Sequence, residues 1–179
     1  SAASDVYKRQ LDDFKEKARV LKAGCFLVEV LPAENENNYE YLYQIKQYAK
    51  EAGFVYYSKV SWKKGTFVSN TGRKAKNTQD IMIFSKGKAR NMRYDKKKSD
   101  LTGKKCYMSG CNGMLPAMFD VQPVARKNKI HQSELPVQLC EEILEYVTYE
   151  GEIILDSFAG SGAVGVAAVS YTHLRAHET

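Results

Sequence analysis

The stretch around residue 160 holds the residue types that could bind a small molecule. Asp156 comes directly after the apolar residues 153–155, and Gly160 and Gly162 follow it. A loop between a buried strand and a helix places backbone N–H groups and the positive end of the helix beside the carboxyl end of the strand. Glycines there let a ligand approach the main chain, and a carboxylate can bind a cation or a hydroxyl group. The simplest alternative is that the two glycines only form a tight turn.

Residues 160–165 also match the G-x-G-x-x-G pattern of dinucleotide-binding sites. In that fingerprint the glycines follow the strand directly, and an acidic residue about 20 positions later binds the ribose. Here Asp-Ser-Phe-Ala separates the strand from the first glycine, and the later position falls at or past Thr179. The pattern alone is weak, so a dinucleotide-dependent oxidoreductase stays an alternative rather than the preferred interpretation.

Hydrophobic periodicity predicts the elements that must position this loop. Those up to residue 84 are, in order, a helix over 11–21 that ends at Gly24, a buried apolar strand over 25–30, a helix capped by Asn38 with Leu42, Ile45, Ala49 and Ala52 in the core and Gly53 at its end, and strands over 54–62 and 80–84. Two successive strands after helix and strand have alternated predict an α/β fold whose sheet has an antiparallel edge.

The second half of the chain begins with a long irregular region. From 85 to 131 the periodicity fails, and this length is too great for a plain connection, which is typical of a functional insertion. Pro136 then opens a helix that Gly151 ends, and 152–155 is predicted as the strand that leads into the glycine loop. The buried face of that helix is predicted to carry Cys140, Ile143, Leu144 and Val147.

The positive charge of the chain is local. The net charge is +6, yet residues 58–105 contain 15 Lys and Arg against 3 Asp and Glu, a net +12, so the rest sums to −6. A charge run is usually a solvated face. This one also carries Trp62, Phe67 and several Asn residues, a mixture suited to phosphate and base contacts. A polyanionic partner is therefore expected.

Neither metal binding nor membrane insertion is indicated. The four cysteines are scattered, and Cys106 and Cys111 lack a second Cys/His pair that would complete a zinc site, so all four are expected to be reduced and to bind no metal. No apolar run of membrane-spanning length and no targeting pattern occurs, which predicts a soluble, cytoplasmic chain with no membrane partner.

Two motifs carry a family resemblance. The stretch "GEIILDSFAGSG" resembles the S-adenosylmethionine motif of amino-group DNA methyltransferases, usually Asp-Pro-Phe-Ala-Gly-Ser-Gly, and "IHQSELPVQLCEEIL" resembles the motif that precedes it, usually His-Pro-Thr-Glu-Lys-Pro. Ser157 stands in place of the usual Pro and Leu135 in place of the usual Lys. Their order resembles the permuted class, in which the catalytic half comes first and the cofactor half last. "LKAGCFLVEV" and "NTGRKAKNTQDIMIFSKGKARNMR" are similar to parts of the catalytic half.

This resemblance implies a partial Rossmann-like methyltransferase sheet with an irregular target-recognition insertion. The implied segments are the end of the catalytic subdomain at 11–84, the insertion at 85–130 and an incomplete cofactor-binding segment at 131–168. Residues 1–10 and 169–179 do not continue the period beside them and resemble translated sequencing-adapter read-through, so we expect both to be tails of a chain cut at both ends.

The resemblance implies a cofactor and its binding residues. The cofactor would be S-adenosylmethionine, whose methionine part the glycine loop would wrap with an acidic residue nearby. His131 and Pro136 would lie in the adjoining motif. The cofactor-binding residues implied by the resemblance are Asp156, Phe158, Ala159, Gly160, Ser161, Gly162, His131 and Pro136. For His131 the simplest alternative is a hydrogen-bonded loop histidine.

Double-stranded DNA is the implied partner, and a second copy of the chain is a further partner that the sequence leaves open. The residues expected to neutralise DNA phosphates are Lys63, Lys64, Arg73, Lys74, Lys76, Lys86, Lys88, Arg90 and Arg93. The target would be an exocyclic base amine flipped out of the duplex. We expect adenine N6 rather than cytosine N4, because "NTGRKAKNT" and "MSGCNGMLPAMFDVQPV" resemble adenine-type members.

No catalytic residue is assigned. The family uses a tetrapeptide of Asp, Asn or Ser, then Pro-Pro, then an aromatic residue. The four prolines of this chain are Pro32, Pro116, Pro123 and Pro136, and no two adjoin. In the permuted order the tetrapeptide would precede the helix that begins at Leu11. A chain without it is expected to be inactive alone, and a non-catalytic DNA-binding fragment is the second alternative.

The missing tetrapeptide also has a structural consequence. The strand that bears it in the family would lie between the strands at 25–30 and 152–155. We therefore expect a gap in the sheet between these two.

Overall fold

The computed structural model describes residues 10–65, 77–92, 96–98, 105–107, 114–130, 134–149 and 151–176, with the side chains of 96–98, 105–107, 126 and 171–176 left out. None of the described helices is both long and apolar enough to cross a membrane. The chain divides into two compact units, the first formed by 1–59 and 79–90 and the second by 60–78 and 91–179.

Helices and strands alternate at first and become short later. In chain order they are α1 (Leu11–Val20), β1 (Phe26–Pro32), α2 (Tyr39–Glu51), β2 (Phe54–Lys63), β3 (Thr78–Lys86), β4 (Lys96–Lys98), β5 (Lys105–Tyr107), β6 (Met118–Asp120), a 3-10 turn (Arg126–Asn128), α3 (Val137–Val147) and α4 (Ala163–Ala176). The predicted elements up to residue 84 are confirmed, although their bounds shift by a few residues.

The described strands form a four-stranded mixed sheet in the order β1-β3-β2-β6, while β4 and β5 form a separate antiparallel pair. β1 runs antiparallel to β3, with Val28 opposite Ile83, and β2 runs parallel to β6. The fold is therefore α/β with an antiparallel strand, as predicted. That strand is interior rather than at an edge, because β3 lies between β1 and β2.

The core of the first unit lies between the sheet and two helices. Phe14 and Ala18 of α1 and Leu42, Ile45 and Ala49 of α2 are buried in one cluster with side chains from the strands. The predicted core positions of α2 are thus confirmed, and Ala52 packs partly buried against them. The apolar residues recur every three or four positions, which places them on one face of each helix.

Two predicted helix ends differ in how they work. Gly53 adopts a φ of 96°, a conformation that glycine tolerates best, and α2 ends just before it as predicted. Asn38 precedes α2, but its side chain does not cap the helix. Instead its Oδ1 accepts a hydrogen bond from the backbone N–H of Asn35 at 2.8 Å, and its Nδ2 donates to the carbonyl of Ala33 at 3.0 Å. The preceding loop therefore takes both polar groups.

β1 is not wholly apolar, contrary to the prediction for 25–30. Glu29 lies in the middle of the strand with 3% of its surface exposed. Lys17 of α1 donates to its Oε1 at 2.6 Å, which pairs the buried carboxylate with a cation. An unpaired carboxylate in this position would be costly, so the helix that covers the strand supplies the opposite charge.

The second unit has its own core where α3 packs against α4. Cys140 and Leu144 of α3 and Ala163 and Ala167 of α4 are buried there. The predicted buried face of α3 is confirmed, since Ile143 and Val147 are buried as well. Pro136 precedes the helix as predicted, and the backbone N–H of Cys140 donates to its carbonyl.

The strand predicted at 152–155 is wrong for the described structure. These residues belong to no strand, although their side chains still alternate as they would in one. Ile154 packs against the core between α3 and α4, whereas Ile153 and Leu155 are 97% and 69% exposed. A strand forms only with a partner that takes its backbone hydrogen bonds, and no described strand pairs with this segment. β1, at the end of the strand order, pairs only with β3 among the described strands.

The two predicted tails differ in what is described. Residues 1–9 lie outside the described part of the chain, and of this tail only Gln10 is seen, where its backbone N–H donates to the Asp13 carboxylate at 2.8 Å. At the other end, α4 continues to Ala176, past the predicted boundary at 168. The domain boundaries themselves stay predictions.

Candidate functional site

The glycine turn connects the segment at 152–156 to α4. The carboxylate Oδ1 of Asp156 accepts a hydrogen bond from the backbone N–H of Phe158 at 3.0 Å, and the N–H of Gly162 donates to the carbonyl of Ala159 at 2.6 Å. Gly160 and Gly162 have φ values of 51° and 78°. Both lie in the left-handed region that glycine adopts at least cost. The sequence pattern therefore has a conformational cause at these two positions.

The surface of this turn is open. Residues 157–160 are exposed, and the ring of Phe158 is 49% exposed, which is unusual for a large apolar side chain with no polar atom. Gly162 immediately precedes α4, whose first backbone N–H groups have no partner within the helix. The turn thus offers donors, a carboxylate and an apolar ring to a ligand that has both polar and apolar parts.

The third glycine of the pattern has no comparable reason to be glycine. Gly165 lies within α4, has no positive φ, and a Cβ built on it would meet nothing within 4 Å. In the dinucleotide fingerprint the third glycine permits close packing of the helix on the strand. The described residues make no such close contact at Gly165, which disfavours the dinucleotide interpretation of 160–165.

Asp156 also acts on the helix core below the turn. Burial, with the Asp156 carboxylate and then Glu141 adding to it, raises the pKa of the Cys140 thiol to about 11. The thiol is therefore held in its neutral, unreactive form. Leu135, which replaces the lysine usual in the family motif, packs partly buried against the same cluster as Cys140. An apolar contact thus occupies the position where the family has a charge.

The second unit contains all the described residues of the predicted cofactor site. Asp156, Phe158 and Gly160–Gly162 form one turn, and Pro136 begins the helix that packs against α4. His131 lies outside the described residues. Cys25 and Cys140 are free thiols, and the described residues include no group of three His, Cys, Asp or Glu side chains that could hold a metal ion.

Two of the predicted DNA contacts, Lys63 and Lys64, lie at the end of β2 in the second unit. The Lys63 ammonium donates to Asp120 Oδ2 at 2.9 Å on an open surface. Lys64 lies over the ring of Trp62, with its Nζ 5.1 Å from the ring centroid, and its backbone N–H donates to the carbonyl of Asn77 at 2.7 Å. Burial and the charge of Lys129 lower the pKa of Lys64.

Three other predicted contacts, Lys86, Lys88 and Arg90, lie in the first unit. Lys88 is exposed. The Lys86 ammonium instead donates to the backbone carbonyl of Leu21 at 2.6 Å, and the N–H of Arg90 donates to the carbonyl of Gly24. Lys86 and Arg90 thus help to fasten the chain after α1. Arg73, Lys74, Lys76 and Arg93 lie outside the described residues.

The sequence interpretation missed the partner strand of β2. β6 has only three residues, Met118–Asp120, which is too few for a period-2 pattern to be recognised. Its parallel register brings Lys63 opposite Asp120 and brings Gln122 against Gly65 just beyond the strand ends. The only sequence signal was the mixture of Trp62 with basic residues.

Comparison with known proteins identifies relatives of the whole chain. A family described as DNA methylase, the N6 and N4 methyltransferases, matches residues 2–172. The Type II methyltransferase M.BglI of Bacillus subtilis is 40% identical over 48 residues, which are 27% of this chain and 14% of that protein. The matched part therefore spans only a small share of that relative.

Three solved structures share the fold. The M1.HpyAVI complex with S-adenosylmethionine is 21% identical, with a TM-score of 0.62 over 91% of this chain and 72% of that chain. PvuII DNA methyltransferase, described as cytosine-N4-specific, is 17% identical, with a TM-score of 0.63 over 90% and 63%. A DNA modification methylase of Thermus thermophilus, complexed with S-adenosyl-L-methionine, is 20% identical, with a TM-score of 0.58 over 90% and 68%.

Proposed function

The chain belongs to the N6/N4 DNA methylase family, and from this premise we propose that it carries the S-adenosylmethionine-binding and DNA-recognition parts of a DNA methyltransferase. The observation that carries the proposal is the open glycine turn before α4. It joins the family motif to a local geometry suited to a ligand, with Asp156 at one end and Gly162 at the other.

The residues of the turn fit this cofactor. The exposed Phe158 ring offers an apolar surface, and the two glycines leave the main chain accessible to the methionine part. Asp156 offers a carboxylate to the ammonium or hydroxyl groups, while it also fixes the turn through the Phe158 N–H. When bound, the cofactor supplies a methyl group on a positively charged sulfur, which a base nitrogen can take while the C–S electron pair returns to sulfur.

The basic residues supply the sequence-independent part of DNA binding. Each lysine or arginine that neutralises a phosphate releases a counterion, so affinity falls as salt rises. Lys63, Lys64 and Lys88 are the described candidates with part or all of the side chain accessible. For the target we propose adenine N6, on the similarity of two stretches of sequence to adenine-type members.

A second proposal concerns the chain as it stands. Its sequence has no Pro-Pro pair and therefore no tetrapeptide of the family kind. We propose that this chain alone binds cofactor and DNA without transferring a methyl group. A positioned acceptor for the target amine is what catalysis of this kind requires from the protein.

Isothermal titration with S-adenosylhomocysteine, with NAD as a control ligand, tests the cofactor site. Binding of S-adenosylhomocysteine alone is expected. The variant Asp156→Asn keeps an acceptor for the Phe158 N–H but removes the charge, so its affinity should fall about tenfold or more while the fold is kept. Tight binding of NAD instead would support an oxidoreductase, and binding of neither ligand would overturn the cofactor proposal.

The target base and the inactivity are tested together with tritiated S-adenosylmethionine and duplex DNA. No transfer is expected from the chain alone. Transfer by the chain would overturn the second proposal, and the methylated base, identified after DNA digestion, would then decide between adenine N6 and cytosine N4.

A further inference from the structure

The ends of β2 and β6 form a defined corner in the second unit. The strands run parallel, with Trp62 opposite Phe119 and Lys63 opposite Asp120. Just beyond this last pair, the chain reaches Gly65 on one side and Gln122 on the other. They are in direct contact, since a Cβ built on Gly65 would overlap the carboxamide of Gln122.

Buried groups on both strands hold this corner. The indole Nε1 of Trp62 donates to the carbonyl of Val121 at 2.8 Å, and both residues are 2% exposed. Phe119 is equally buried and meets the ring of Tyr146 of α3 edge to face at 6.0 Å. The backbone directly before Gln122 is therefore fixed, while the Gln122 side chain itself is exposed.

The charge at the corner favours an anion. The Lys64 ammonium lies over the buried Trp62 ring, and burial together with Lys129 lowers its pKa. Two cations that act on each other in this way repel, and a phosphate placed between them would offset the repulsion. The Asp120 carboxylate is already paired with Lys63, which limits its opposition to an anion.

The geometry points to Gln122 as a specificity-determining residue that reads a base edge in DNA, with Lys64 and Lys129 holding a neighbouring phosphate. A carboxamide donates and accepts hydrogen bonds at once, and its matching partner is the N6 and N7 edge of adenine in the major groove. Lysines that bind phosphates fix the register on the duplex but do not read the sequence. This inference rests on the proposed DNA-binding function.

Gly65 completes the arrangement by what it lacks. Its φ of 59° and the overlap at its Cβ position mean that only glycine lets the carboxamide lie on the backbone there. A methyl group at this position would push the Gln122 amide away from the corner without changing any polar group. Gly65→Ala therefore perturbs the same reading contact from the opposite strand.

The test is selection from a random duplex library by the full chain, followed by titration of the enriched duplex and of duplexes changed at one base pair. Wild type is expected to prefer adenine at one position by roughly 5- to 150-fold, the discrimination of one bidentate contact. Gln122→Ala should lose the preference at that position only and keep its affinity for unselected DNA. Gln138→Ala, an exposed glutamine of α3 bonded to Glu142, is the matched control and should keep every preference.

Two further variants separate reading from charge. Gly65→Ala should reproduce the loss seen with Gln122→Ala, and Gln122→Ala decides the matter if Gly65→Ala does not fold. Lys64→Ala should weaken binding to all duplexes alike and reduce the salt slope by about 0.9. An unchanged preference in Gln122→Ala, or an equal loss at every position, overturns the inference while DNA binding stands. Failure of wild type to bind any duplex overturns the DNA proposal itself.

Discussion

Lys17 and Glu29 form a buried ion pair between a helix and the strand beneath it. The Lys17 Nζ lies 2.6 Å from the Glu29 Oε1, and the two side chains are only 12% and 4% exposed. Lys17 also lies 5.1 Å from the ring centroid of the buried Phe14. The pair thus joins α1 to β1 in a region of low dielectric, where removing one charge leaves the other uncompensated.

Glu29→Gln should destabilise the first unit strongly. We expect a loss of about 3 kcal/mol in the free energy of unfolding, because the Lys17 charge would stay buried without this carboxylate. Urea unfolding followed by circular dichroism measures this loss. Glu16→Gln is the matched control: the Glu16 pair with Arg19 has the same kind of geometry at 2.8 Å but is about two-thirds exposed. It should cost less than about 0.5 kcal/mol. Equal losses in the two variants would contradict the role given to burial.

Trp62→Phe should loosen the corner where β2 meets β6. The change removes the indole donor to the Val121 carbonyl and leaves a small cavity, so a loss of about 2 to 3 kcal/mol is expected. The urea midpoint measures it. Tyr43→Phe, on the exposed face of α2, serves as a control and should change stability by less than about 0.5 kcal/mol. A midpoint for Trp62→Phe that matches wild type would mean that the indole hydrogen bond contributes nothing.

Cys140 should make the stability depend on alkaline pH. Its pKa is raised from 9.0 to about 11, first by burial and then by Asp156, so the folded chain holds the thiol proton more tightly than the unfolded chain. That contribution is complete below about pH 9 and is lost as the pH rises towards about 11.

The measurement is urea unfolding of wild type and Cys140→Ala under reducing conditions from about pH 8 to 11. Lysines and tyrosines titrate in both proteins, so the difference between the two curves isolates the thiol. Wild type should lose up to about 2 kcal/mol more than the variant over this interval. Parallel curves would show that the folded and unfolded thiols titrate alike.

Gly162→Ala and Gly165→Ala should act in opposite directions. An alanine at position 162 would keep a φ of 78° only under strain, so we expect a loss of about 1 to 2 kcal/mol and weaker binding of S-adenosylhomocysteine. An alanine at 165 lies in a helix with open space around its Cβ and should stabilise by up to about 1 kcal/mol with binding unchanged. Thermal unfolding and isothermal titration measure both effects. Loss of binding on Gly165→Ala would restore the dinucleotide interpretation.

The parts of this fold that the sequence predicts are those set by local pattern. The buried face of α3 and the stop at Gly53 follow from periodicity and from the preference of glycine for positive φ. The pairing of Glu29 with Lys17, twelve residues apart, cannot be read in this way, because an opposite charge can come from any element that covers the strand. Gln122 was missed for the same reason, since its neighbour Gly65 is distant in the sequence and only the register of β6 brings them together.

The glycine turn was predicted as to place and residue types, and its geometry required the structure. The sequence also predicted a strand at 152–155, since its apolar residues match the pattern. Pattern alone does not supply the neighbouring backbone that turns an extended segment into a strand.

That extended segment has a consequence for how the chain behaves at high concentration. Ile153 and Leu155 turn two branched apolar side chains outward from a backbone that no described strand covers, which is the arrangement that templates association between copies. Glu152 and Asp156 stand at its two ends as acidic gatekeepers, because like charges on approaching copies repel. The carboxylate that fixes the glycine turn thus also protects the chain against aggregation.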